Sequence, residues 1–256
     1  MTFEATMLYA YWGNRREGLE AAAMRMARML DSLEPIHPAF DAWVTENPVD
    51  EQWKPFGGQP CTTQGLVADF QADLASIQID RIAIPGFGFM TGAWNGKEGD
   101  RTVSFQCALE NTDSPQIFPN LTSFTLRSRQ FGDPTLICTE ILTQVLSAVA
   151  KAWNPVWATV FPQDLWDVLE FPPAPLRTGW ITYLSKPLAD KFVVPQGFRT
   201  EAGPDGSLII VTTDKVFDPE NSAHIALAKT LKPAFDRIQP PDPYGDFCRA
   251  RTPQGK

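Results

Sequence analysis

The residue types able to do chemistry are thinly spread along this chain. It has two histidines, His37 and His224, and four cysteines, Cys61, Cys107, Cys138 and Cys248. His37 lies between two prolines and reads as a loop residue; neither histidine has a second ligand-type residue at metal spacing. His224 falls in the first turn of a predicted helix, close in sequence to Asp214 and Asp218. A Ser/His/Asp or Cys/His site assembled in space therefore stays open on sequence grounds. Against it, the chain lacks a nucleophile elbow, a phosphate-binding loop and a paired His-Glu helix. Gly86-x-Gly88 lacks the third glycine and following helix of a dinucleotide fingerprint. The cysteines form no C-x-x-C pair and read as reduced, mostly buried thiols of a cytoplasmic protein, not a disulfide frame or zinc site. Asp69 and Asp73, four apart on a predicted helix, should share its exposed face. With no histidine nearby they read as solvated or partner-facing acids. No catalytic, cofactor-binding or metal-binding residue is assigned.

Charge is more informative than any motif. The formal net charge is −8, which argues against nucleic-acid binding, because neutralising phosphates takes clustered Lys and Arg. The excess is local: residues 31–80 hold nine acids against one base, Lys54, a surplus equal to the imbalance of the whole chain. Such a window is either a solvated face that keeps the protein soluble or a field that steers a basic partner. The chain also has eight tryptophans, most of them read as packing. Aromatics beside acids suit an interface in which buried rings anchor and charges steer. On that reasoning Glu34, Asp41, Glu46, Asp50 and Glu51 are the expected steering residues, with Trp43 and Trp53 as anchors.

The elements that must position these residues follow from hydrophobic spacing. A short apolar-aromatic run, Leu8 to Trp12, precedes a helical stripe of Leu19, Ala22, Ala23, Met26, Met29, Leu30 and Leu33, stopped by Pro35 and Pro38. Thr62 or Thr63 caps a second helix carried by Leu66, Val67, Phe70, Leu74 and Ile77. The period then switches to two: a glycine-rich strand from Phe87 to Trp94, an Asn95-Gly96 turn, a return strand from Arg101 to Glu110, and a third over 121–128. Asp133-Pro134 is read as capping a long helix to Trp153. Further strands are expected over 156–161, 180–184 and 207–213, then a helix from Ser222 to about Ile238 that Pro233 should kink or end early. Three strands and a helix, twice over, hint at a duplicated architecture without repeated residues.

The fold expected is α+β, a mixed, mostly antiparallel sheet of about six strands with helices packed against it. One domain spans 1–256: a helical, acidic part over about 1–80, a sheet-containing part over about 81–239, and a flexible tail over 240–256. No run of ~18 apolar residues is present, so no membrane span is predicted, and the N-terminus reads as lacking a secretory signal. Oligomeric state is left open.

Three blocks carry a family likeness: Tyr11-Trp12-Gly13 with Arg15 and Glu17, followed by Pro38, Phe40 and Trp43; Gly179-Trp180-Ile181-Thr182-Tyr183-Leu184; and Gly206 to Thr212 running into Phe217-Asp218 and Asn221-x-x-His224. In order and spacing they resemble the immunity protein 52 family. The resemblance implies a cytoplasmic antitoxin without enzymatic activity, binding a cognate nuclease toxin of a type VI or related polymorphic secretion system. The implied toxin has a restriction-endonuclease-type fold and is blocked at its active site or substrate-binding surface. No cofactor, nucleic acid or membrane partner is implied. The alternative expectation is a small-molecule-binding protein or enzyme with its pocket at the aromatic hairpin, residues 86–95.

Overall fold

A computed structural model describes residues 5–46, 51–80, 88–112, 120–127, 132–170 and 175–239, without the side chains of 76–80. The strands are β1 (Ala5–Trp12), β2 (Val44–Glu46), β3 (Trp53–Pro55), β4 (Phe89–Trp94), β5 (Val103–Leu109), β6 (Asn120–Arg127), β7 (Trp157–Pro162), β8 (Ile181–Leu184), β9 (Arg199–Ala202) and β10 (Leu208–Val211). They form one ten-stranded sheet in the order β3-β2-β4-β5-β6-β1-β7-β8-β10-β9, and each described pairing is antiparallel. The helices are α1 (Leu19–Leu33), α2 (Thr63–Asp80), α3 (Thr139–Trp153), α4 (Leu165–Leu169), α5 (Lys186–Ala189) and α6 (Ser222–Asp236). The helix-and-sheet class agrees with the sequence reading. The strand number does not: it is ten, not about six, because β2, β3 and β9 are only three to four residues long and carry no alternation to read.

Strand β1 organises the sheet from its centre. Leu8, Ala10 and Trp12 point to one face and are buried, while Met7, Tyr9 and Tyr11 alternate to the other. On the first face lie α1, α2 and α3. The α1 stripe of Ala22, Ala23, Met26, Met29, Leu30 and Leu33 is buried as its spacing requires. Trp153 closes α3 by stacking on Trp12 at 5.1 Å, and its Nε1 donates to Met29 Sδ. Burying each such side chain is worth about 1.5–3 kcal/mol.

Described elements cover the second face over only half the sheet. Strands β7, β8 and β10 are near-continuous apolar runs, buried on both sides, as strands enclosed between two layers must be. Trp157, Leu184 and Ile210 meet Leu231, Phe235 and Ile238 of the α6 segment there. Strands β4 and β6 instead alternate buried and exposed positions. Met90, Gln106 and Thr125 stand out from β4, β5 and β6 into solvent. The open half-face continues onto β2 and β3 at the end of the sheet.

Two local expectations are corrected. Helix α3 starts at Thr139, since Asp133 accepts the N–H and hydroxyl of Thr135 and closes a separate turn ahead of it. Helix α6 runs through Pro233 to Asp236, because its buried residues Leu231, Ala234 and Phe235 anchor the turns on both sides of the proline. Residues 240–256, read as a flexible tail, lie outside the described residues, and no described helix is long and apolar enough to cross a membrane.

Candidate functional site

The residues expected to contact a partner separate into three groups. Trp43 belongs to the core: it is 8% exposed and packs against Phe40, Phe105 and Phe124. Its position one residue before β2 turns the ring inward, so its contribution is packing. Glu34, one residue beyond α1, and Asp41 are exposed, but Asp41 already pairs with Lys97 at 2.7 Å. Glu46, Glu51 and Trp53 sit together on the β2–β3 hairpin and are exposed. Asp50 lies outside the described residues.

The acidic window is thus less uniform than its composition. Asp69 is not on an exposed face: it is buried, pairs with Lys54 at 2.5 Å and accepts the Gly57 N–H. The paired helix turn was legible; the inward lean of Asp69 was not, because Lys54 reaches it from β3. Asp73 is half-buried, and burial pushes its carboxyl up, opposed by the nearby Thr91 hydroxyl. Asp31, Glu34, Glu46 and Glu51 make no ion pair among the described residues.

A groove of about 380 Å³ runs along β4 at this end of the sheet, lined among others by Glu46, Trp53, Asp73, Met90 and Trp94. The β4–β5 register puts Met90, Gly92 and Trp94 on one face, opposite Ala108, Gln106 and Ser104. Gly92 keeps the centre low: a Cβ there would lie 2.6 Å from the Phe105 carbonyl oxygen. Trp53 of β3 meets Trp94 edge to face at 5.5 Å, and Trp53 is 59% exposed. The turn beneath is fixed by buried Asn95, whose side chain donates to Ala39 O and Arg101 O and accepts from Lys97 N and Val103 N. Sequence reasoning placed Trp94 at a hairpin end, but without register it could not pair that ring with Trp53.

The residues considered for catalysis are held in structural roles. His224 Nδ1 accepts the Asp218 backbone N–H, Asp218 Oδ1 accepts the Glu220 N–H, and Asp214 pairs with Arg199. His37 Nδ1 accepts the Ala39 N–H, and its Nε2 lies 3.0 Å from the Thr135 hydroxyl. Burial pushes the His37 imidazole pKa down, opposed by Asp133. Cys107 is buried with its thiol pushed up to about 12, whereas Cys61 is exposed on the turn ahead of α2. Among the described residues no cluster of three His, Cys, Asp or Glu could hold a metal ion.

The blocks that carry the family likeness are also structural. Arg15 donates to Trp153 O and Arg25 to Ala152 O, satisfying carbonyls at the C-terminus of α3 that have no helical partner. Glu17 bridges the two guanidinium groups, and Arg15 lies over the Trp12 ring at 4.9 Å. Glu110, from the end of β5, accepts the N–H groups of Glu17 and Gly18 as α1 begins. Gly179 is required because a Cβ would meet Thr159 Oγ1 at 2.0 Å. Trp180 donates its indole N–H to Thr213 O, and Asn221 caps α6.

The family model of Immunity protein 52 matches residues 4–239, so the chain belongs to that family. Among curated proteins, none matches this sequence. Among solved structures, the fold is similar to that of the Pseudomonas aeruginosa T6SS protein PA0821, with a TM-score of 0.52 and 13% identity over 92% of this chain and 73% of that one.

Proposed function

We propose that this chain is a cytoplasmic immunity protein that neutralises a cognate nuclease toxin by binding it, without making or breaking bonds itself. Membership of the Immunity protein 52 family supports a toxin as partner, and the T6SS protein of similar fold is in keeping with a secretion-system setting. The observation that carries the docking face is the half of the sheet that no described element covers. There β2, β3 and β4 present Trp53, Trp94 and Met90 beside Glu46 and Glu51, whose carboxylates no described cation pairs. A nuclease must hold DNA phosphates and a divalent metal, so the rim of its cleft is cation-rich. A surface of exposed rings and unpaired carboxylates complements such a rim and blocks it by occlusion.

The test is to mix the purified chain with the nuclease domain encoded beside it and assay DNA cleavage. Loss of cleavage at a one-to-one ratio is expected; unimpeded cleavage in a mixture that forms no complex contradicts the reading. The alternative, a small-molecule pocket at the 86–95 hairpin, has the groove along β4 in its favour. It predicts that a small ligand, not the toxin, protects Trp94 from solvent quenching.

A further inference from the structure

We propose that the groove along β4 is a receptor for a single Arg or Lys side chain projecting from the toxin, and that this one contact fixes the register of the complex. The proposal rests on the toxin-neutralising reading and names the chemistry of its central contact.

The groove is lined by carboxylates: Glu46 and Asp73 reach it, and no described Lys or Arg lines it. Asp73 already has the Thr91 hydroxyl and the charge of Lys54 near it, and Lys54 itself pairs with Asp69. Glu46 makes no ion pair among the described residues, so a cation entering the groove meets its carboxylate beside the exposed Trp53 ring. One wall of the groove is aromatic. Trp53 and Trp94 stand at 71° to one another, and the outer ring is more than half exposed. A cation above an indole face is attracted by the ring quadrupole, most strongly for tryptophan. Between Met90 and Trp94 the strand carries no side chain at Gly92, where β5 comes so close that a Cβ would lie 2.6 Å from the Phe105 carbonyl oxygen, and Gln106 lies opposite in register. A long stem ending in a charge suits a low apolar floor with carboxylates at the rim.

The experiment follows the indole N–H resonances of Trp53 and Trp94 in the full chain during titration with N-acetylarginine amide. N-acetylcitrulline amide serves as the neutral isostere. The expected result is a saturable shift of both resonances with the arginine derivative, none with citrulline, and about tenfold weaker binding in E46Q. An equal response to citrulline, or no saturable response to arginine, overturns the proposal. In parallel, E46K and W53A are measured for affinity to the neighbouring nuclease domain, each expected to lose at least about tenfold. Unchanged affinity in both variants, with cleavage still blocked, overturns the groove as the contact and leaves the toxin-neutralising reading intact. A wild-type chain that binds arginine yet leaves the nuclease uninhibited overturns that reading and leaves cation recognition standing.

Discussion

Arg15 and Arg25 direct their guanidinium groups at backbone carbonyls, not at solvent or a ligand. Charged hydrogen bonds of this kind are worth about 1.5–3 kcal/mol each. R25A should therefore lower unfolding free energy by about 1–3 kcal/mol while leaving toxin affinity unchanged; denaturant titration and a binding assay separate the two. Gly179 is a stricter position. A Cβ would press on Thr159 Oγ1 and sit 2.6 Å from Val160 O, so G179A should cost about 1–3 kcal/mol. T159A should rescue only part of that, because the carbonyl remains. Asp133 sets a pH dependence. The hydroxyl and N–H of Thr135, with Arg101 beside them, hold its carboxyl below the usual range. A carboxyl depressed on folding contributes stability above its unfolded pKa of about 4 and loses it as pH falls through the folded value. The wild type should accordingly lose more stability than D133N on acidification below about pH 4. Parallel stability-against-pH curves for the two proteins would contradict this role.

At the scale of elements, the two tryptophans of the β2–β3 region are opposites despite lying ten residues apart in one acidic stretch. W43A empties a core site and should destabilise the chain by about 3–5 kcal/mol. W53A removes a ring that is 59% exposed, should change stability by less than about 0.5 kcal/mol, and should weaken toxin binding. Equal stability losses would contradict this division between a core ring and a surface ring. The long elements were legible because their periods are strong: the α1 stripe, the β1 alternation and the Asn221 cap follow from residue types alone. The two-sided burial of β7, β8 and β10 is written in their unbroken apolar runs. What escaped was set by partners distant in sequence. Strands β2 and β3 exist because Val44 pairs with Trp94 and Glu46 with Trp53. Asp69 is inside because Lys54 and Gly57 reach it. The groove needed both registers at once.

At the scale of the whole molecule, the described elements sheathe one end of the sheet on both faces and the other end on one face only. The residues that carry the family likeness hold helix ends and close approaches, so they specify the scaffold. The bare end, with Trp53, Trp94 and Glu46, holds the surface suited to a partner. Recognition by negative potential and shape is measured in the association rate with the nuclease domain of the proposed toxin across a series of salt concentrations. Association should slow steeply as salt rises over the range in which the Debye length falls from about 30 Å to about 8 Å, and E46K combined with E51K should slow it at low salt and flatten the slope. A rate indifferent to both salt and the double reversal, with DNA cleavage still blocked, would contradict it.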